Sequence, residues 1–127
     1  TWFQVMQVNL NGPYLLTKHC IPLLTKSEHS SLLFMTDDKF GAYWDAYGVS
    51  KQAVDTLAQN IAAEVEGSTV HVNRVYPGKT RTALQLRAFP AADDNDRLPV
   101  PGDFRNQFIY LLSDLNSANG QLIKFQA

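Results

Sequence analysis

"YGVSKQAVDTLAQNIAAEVEGSTVHVNRVYPG", residues 47 to 78, changes its periodicity once, and that change decides the fold. Val54, Leu57, Ala58, Ile61, Ala62 and Val65 recur at steps of three and four and draw one apolar helical stripe. The spacing predicts a helix from about Asp45 to Glu66, with Gly67 marking its end. "TVHVNRVY", residues 69 to 76, then reads as a strand stopped by Pro77-Gly78.

Working outward, "SLLFM", residues 31 to 35, is a short continuous apolar run that suits a strand buried on both faces of a parallel sheet. Residues 1 to about 26 carry Met6, Leu10, Leu16, Ile21 and Leu24 at helical spacing, but Gly12-Pro13 and Pro22 are expected to kink or interrupt that helix. Residues 79 to 103 hold three prolines and the acidic cluster Asp93, Asp94 and Asp96, and read as a long loop with a short helical piece. Phe104, Phe108, Leu111, Leu112 and Leu115 make another amphipathic helix, and "GQLIKF", residues 120 to 125, a last strand. This order of elements predicts an α/β fold whose parallel sheet of about three strands is flanked by helices.

A chain of 127 residues is the size of one domain and can bury roughly two thirds of the surface its unfolded form exposes. Eleven Lys and Arg against 12 Asp and Glu leave a net charge of −1, which argues against nucleic acid or an anionic membrane surface as partner. Cys20 is the only cysteine, so an intrachain disulfide is excluded and a reducing compartment, by default the cytoplasm, is expected. No apolar run approaches the roughly 20 residues that span a bilayer. The sequence opens at Thr1 directly into an apolar pattern, which reads as a cut edge of a longer chain.

Three islands carry the chemistry: "NLNG" (residues 9 to 12), "YGVSK" (47 to 51) and "NRVYPGKTRT" (73 to 82). In the second, positions i and i+4 of a helix stack one turn apart, so Tyr47 and Lys51 point into one space. Together and in this order the islands resemble the C-terminal half of a short-chain dehydrogenase/reductase, whose signatures are Asn-x-x-Gly, Tyr-x-x-x-Lys and Asn-x-x-x-Pro-Gly followed by Thr. The resemblance covers essentially the whole chain but half of the family's usual domain. It implies the C-terminal portion of a Rossmann-like sheet, an NAD or NADP cofactor, and a small carbonyl or alcohol substrate. The upstream Gly-rich turn that holds the pyrophosphate has no counterpart here, so residues 1 to 127 read as a partial domain.

Carried over by position, the resemblance makes Tyr47 the acid/base and Lys51 the residue that holds the nicotinamide ribose and lowers the tyrosine pKa. A positive charge at about 5 Å and an effective dielectric near 20 is worth roughly 3 kcal/mol, or about two pKa units. Asn9 corresponds to the asparagine that orders a water in the proton relay. Pro77, Gly78 and Thr82 correspond to the segment lining the nicotinamide pocket, and Ser50 is expected only to pack small beside the site.

"FMTDDKFG", residues 34 to 41, departs from the family pattern. By register Thr36 and Asp37 stand where the family has a Ser-Ser pair, with Asp37 at the catalytic serine. A carboxylate accepts hydrogen bonds and donates none, so it cannot stabilise an oxyanion, and it opposes the effect of Lys51 on Tyr47. Thr36 is the substitute if the register shifts by one. The family's Asp-Gly-Gly tail is also replaced, by Phe125-Gln126-Ala127. His19, His29 and His71 lack metal-ligand spacing, so no metal is expected, and Trp2, Tyr43 and Trp44 read as core or interface packing, with the wall of a substrate pocket as the alternative.

The expected function is therefore part of an NAD(P)-dependent oxidoreductase, inactive as this isolated chain. It is expected to self-associate through helices 1 to 26 and 45 to 66. The alternative is a catalytically degenerate relative serving as a binding or oligomerisation module, a reading that Asp37 favours.

Overall fold

The computed structural model describes residues 1–126. The chain opens with helix α1 (Trp2–Met6), passes through a π-helical turn (Gln7–Asn11) and continues as α2 (Gly12–Leu24). The expected interruption at Gly12-Pro13 does not occur. Pro13 falls in the first turn of α2, where its missing N–H is not needed, and the extra residue is absorbed by a wide turn in which Gly12 N–H donates to Gln7 O. Pro22 likewise sits inside α2 without ending it.

Strand β1 (Ser30–Met35) is followed by α3 (Asp45–Glu64), β2 (Val70–Tyr76), α4 (Ala83–Ala88), two short 3-10 turns (Asn95–Arg97 and Pro101–Phe104), α5 (Arg105–Leu111) and β3 (Leu122–Lys124). The last helix is shorter than its apolar spacing suggests, and Leu112 and Leu115 stand exposed beyond it. The three strands are parallel in the order β1-β2-β3, with Ser30 opposite Val70 and Tyr76 opposite Lys124. One side of β1 is therefore an unpaired edge. Its side chains are less buried than a fully covered strand requires: Phe34 is buried, Leu32 and Leu33 are half-buried and Met35 is exposed.

The core lies between the sheet and α3. Val54, Ala58 and Ala62 of the expected stripe pack with Phe34, Val70 and Val72, while Leu57, Ile61 and Val65 close its margin together with Leu10, Ile21 and Leu24 of the first helices. Two asparagines pin β3 to β2. Asn119 donates to Ala62 O at the end of α3 and accepts from Val72 N, and fully buried Asn73 donates to Ala118 O and accepts from Gln121 N. Each replaces a bond that the backbone cannot make across a bend, which satisfies polar groups that would otherwise be buried unpaired. No helix among the described residues is long and apolar enough to cross a membrane.

Candidate active site

The carboxyl ends of β1 and β2 and the first turns of α3 surround a cavity of about 480 Å³. Asp37 enters it from the end of β1, Tyr47 and Lys51 from α3, and Pro77 and Gly78 from the end of β2, with Thr82 beyond them. The crevice outside the carboxyl ends of parallel strands is where open α/β sheets bind ligands. Trp44 forms the aromatic wall, its ring centroid 5.9 Å from that of Tyr47 and 6.0 Å from that of Phe89.

The Tyr47 hydroxyl donates to Asp37 Oδ2 at 2.6 Å. Asp37 Oδ1 accepts from the Lys39 backbone N–H at a longer 3.3 Å. Lys51 Nζ lies over the Tyr47 ring face, 5.9 Å from its centroid. Burial raises the Tyr47 pKa well above the ordinary phenol range, and the bond to Asp37 and its charge push it further the same way. The net direction is opposite to the one expected from Lys51: burial first, then the hydrogen-bonded carboxylate, act on the phenol oxygen, whereas the ammonium faces the ring. Burial depresses Lys51 itself, with Asp37 acting in the opposite sense. Next door, Lys39 holds Asp38 at 2.6 Å and keeps its carboxyl below the usual range, and burial followed by Asp38 pushes the Tyr76 phenol up to about 12.

Thr36 borders the cavity, but its buried hydroxyl points back to Val75 O at 3.4 Å. Asn9, carried by the π-helical turn, is not among the lining side chains. It donates to Ser50 Oγ at 3.1 Å, and fully buried Ser50 donates to Tyr47 O at 2.8 Å, so Asn9 reaches the site through the backbone of α3. Thr82 caps α4 by accepting from Gln85 N at 3.2 Å, which leaves its own hydroxyl proton available to a ligand. The turn into α3 is tight: Gly41, Tyr43 and Asp45 have φ of 103°, 71° and 45°. Left-handed backbone at two non-glycine residues is how a short segment joins Asp37 to Tyr47.

Sequence reasoning missed Gln126. Its side-chain amide donates to Pro77 O at 2.7 Å and to Lys79 O at 2.9 Å, clasping the turn at Gly78. No local pattern marks that residue, because its partners lie 49 and 47 positions away. His29 and His71 stack at 4.5 Å far from this cluster, and no group of three or more His, Cys, Asp or Glu stands at metal-binding distance among the described residues.

The lining fits the nicotinamide end of a dinucleotide. Lys51 and Thr82 offer donors, and Gly78, at φ 81°, brings bare backbone to the cavity. Nothing among the described residues resembles a Gly-rich turn for the pyrophosphate.

These elements define a parallel α/β protein with a Tyr-Lys site at the carboxyl ends of its strands. The chain belongs to the short-chain dehydrogenase/reductase family, and the family model described as Enoyl-(Acyl carrier protein) reductase matches residues 1–123. It is 39% identical over 117 residues to the uncharacterized oxidoreductase YciK of Escherichia coli (strain K12), covering 89% of this chain and 45% of that protein. It is 30% identical over 112 residues to 2,3-dihydro-2,3-dihydroxybenzoate dehydrogenase of the same organism, covering 84% and 44%. A short chain dehydrogenase from Salmonella enterica serovar Typhi superposes with a TM-score of 0.92 at 35% identity over 99% of this chain and 53% of that one. One from Shigella flexneri 2a, complexed with NADP, superposes at 0.90 and 35% identity over 99% and 54%. The chain thus spans about half the length of the relatives it matches.

Proposed function

We propose that these residues are the catalytic-side half of an NAD(P)-dependent oxidoreductase that moves hydride between nicotinamide and a small carbonyl or alcohol, in the cytoplasm. What carries the reading is the convergence of Tyr47 and Lys51 with Pro77, Gly78 and Thr82 on one cavity. Family membership and the NADP or NADPH held by solved relatives support it.

In this reading the cofactor, when bound, supplies or accepts the hydride. Lys51 holds the nicotinamide ribose, Thr82 and the Pro77-Gly78 turn border the carboxamide, and the substrate oxygen meets the Tyr47–Asp37 pair. Asn9 steadies the Tyr47 backbone through Ser50. Thr36 would contribute its hydroxyl only by releasing Val75 O. Adenine and pyrophosphate are left to residues outside this chain, so these 127 residues alone turn over no NAD(P)H.

The test is NAD(P)H consumption with a panel of aldehydes and ketones, and NAD(P)+ reduction with alcohols, by the complete polypeptide bearing this sequence and by the 127-residue chain. Activity in the first and none in the second is expected. Inactivity of both, with the cofactor bound, would instead favour the degenerate module. We also assign self-association to the first helices and α3, since Phe3, Val8 and Leu16 are 82%, 71% and 67% exposed. A monomer by light scattering at micromolar concentration would count against that.

A further inference from the structure

We propose that Trp44 and Phe89 are specificity-determining residues of this site and that its substrate is a neutral ketone or secondary alcohol carrying an aromatic ring on the reacting carbon. The assignment rests on the oxidoreductase reading above and names its substrate class. Trp44 stands at the entry to α3, three residues before Tyr47, and Phe89 follows the last turn of α4; both border the cavity. Their ring planes are inclined by 53° at 6.0 Å, so the two faces meet as a corner. A flat ring can lie against one face and meet the other edge-on, the arrangement that ring quadrupoles favour, whereas a linear chain gains only apolar contact there.

Both rings are held in place by the fold. On either side of Trp44, Tyr43 and Asp45 have φ of 71° and 45°, and the Tyr43 side chain stands fully in solvent while that of Trp44 borders the cavity. Left-handed backbone at non-glycine residues persists only where its surroundings hold it, and it gathers at ligand sites. Gly48 N–H donates to Trp44 O at 3.1 Å, and a Cβ on Gly48 would stand 3.0 Å from Trp44 Cβ, so the glycine makes room for the tryptophan. Phe89 is fixed separately. Its N–H donates to Gln85 O at 2.9 Å, and its carbonyl accepts from Asn95 Nδ2 at 2.7 Å and from Ala92 N at 3.2 Å. Arg81 N–H donates to Pro99 O at 2.8 Å and closes the loop that carries α4. The corner is therefore pre-organised, and a ligand need not order it.

The charges that border the cavity already have partners or roles. Lys39 pairs with Asp38 at 2.6 Å, Lys79 reaches Asp94 at 3.7 Å, Asp37 accepts from Tyr47 at 2.6 Å, and Lys51 is assigned to the ribose. Beside the two rings, α4 adds Leu84, Ala88 and a single polar side chain, Gln85. A substrate carboxylate would have to displace an existing ion pair. A polyol would find one amide for several hydroxyls and leave the others desolvated without a bond. An apolar ring meets neither cost.

The complete polypeptide with NAD(P)H and four ketones tests this: acetophenone, 2-octanone with the same carbon count, 4-acetylbenzoate and dihydroxyacetone. Acetophenone is expected to lead in kcat/KM, by about tenfold over 2-octanone and 4-acetylbenzoate and by about 100-fold over dihydroxyacetone. Trp44→Ala and Phe89→Leu are each expected to lower the ratio of acetophenone to 2-octanone by about tenfold, mainly through KM, whereas Trp44→Phe keeps most of it. The intrinsic reactivities of the ketones cancel in that comparison. Phe89 lies on a different element from Tyr47, so Phe89→Leu decides the matter if Trp44→Ala does not fold. Independently of turnover, benzamide, a flat amide that nicotinamide does not reduce, is expected to shift the indole N–H resonance of Trp44, identified by its absence in Trp44→Phe. Heptanamide is expected to leave it in place. Ketone turnover with unchanged ratios in the variants, a preference for any of the other three ketones, or an indole unmoved by benzamide overturns the assignment and leaves the oxidoreductase reading standing. No turnover of any ketone removes both.

Discussion

Tyr47 gives its hydroxyl proton to Asp37 Oδ2 across 2.6 Å, and the two stand only ten positions apart in the chain. That brevity is what the backbone accommodates with left-handed φ at Tyr43 and Asp45. The same contact adds to the electrostatics that burial begins: desolvation raises the Tyr47 pKa most, and the short hydrogen bond to an anion pushes it further the same way.

Alkaline stability should report the contact. The pKa of Tyr47 and that of Tyr76, pushed up to about 12, are raised in the fold, so above the unfolded phenol value of about 10 the native state keeps protons that the unfolded chain releases. Their contribution is fully present below pH 10 and is lost as pH rises, for Tyr76 by about pH 12. Lys51, depressed by burial, has the opposite sign and offsets part of the loss. After allowance for solvent screening the net fall is on the order of 1 kcal/mol. Urea midpoints measured across that range should show it, and Asp37→Asn should shrink it by removing both the anion's bond and its charge.

Gly48→Ala is expected to destabilise, although an alanine inside an exposed helix ordinarily gains about 1 kcal/mol. A Cβ there would stand 3.0 Å from Lys39 O, 3.0 Å from Trp44 Cβ and 3.3 Å from Phe40 Cα. Two of these neighbours are backbone and yield only if the segment after Asp37 moves. A net loss of about 1 kcal/mol is expected, with the strain outweighing the propensity gain. Thermal unfolding measures the loss, and a fall in the Tyr47 pKa in the same variant shows that Asp37 has been drawn away.

How much of this was legible follows from the range over which each determinant acts. The stripe from Val54 to Val65 and the stop at Pro77-Gly78 are local, and they placed α3 and β2 within a residue or two. The pairing of Tyr47 with Lys51 follows from helical geometry alone. The first helices were misread because Gly12-Pro13 is a breaker in an ordinary α-helix, whereas a wide turn places Pro13 in a new first turn. Asp37 was identifiable by position, but its hydrogen bond depends on a three-dimensional turn through Gly41 and Tyr43 that side-chain pattern does not encode. Gln126 was invisible because its partners are carbonyls, and a carbonyl carries no residue identity.

Asp55→Ala should cost more than a surface ion pair would suggest. Arg74 Nη1 meets both carboxylate oxygens of Asp55, at 3.0 and 2.9 Å, and the side chains are only 16% and 23% exposed. Arg74 Nε is already without a partner. Removing the carboxylate strands a guanidinium between β2 and α3, at a cost of about 2–3 kcal/mol once partial exposure is allowed for. Adding Arg74→Met removes the stranded charge and should recover a good part of that loss. Denaturant midpoints of the two single variants and the double variant give the coupling directly.

Gln126→Glu isolates the clasp on the cofactor-side turn. The native amide donates one hydrogen to Pro77 O and the other to Lys79 O, and it fits because Gly78 between them has no Cβ: one built there would lie 2.8 Å from Gln126 Nε2. A glutamate of the same length is ionised at neutral pH and has nothing to donate, so it turns two bonds into two repulsions. Because the turn is at the surface and β3 is held independently by Asn73 and Asn119, global stability should fall by no more than about 1–2 kcal/mol. Amide exchange at Gly78 and Lys79 should accelerate well beyond what that global loss explains. Gln126→Asn, one methylene short but still a donor, should fall between the two. If exchange in this turn tracks global stability in all three proteins, Gln126 packs against the turn without holding it.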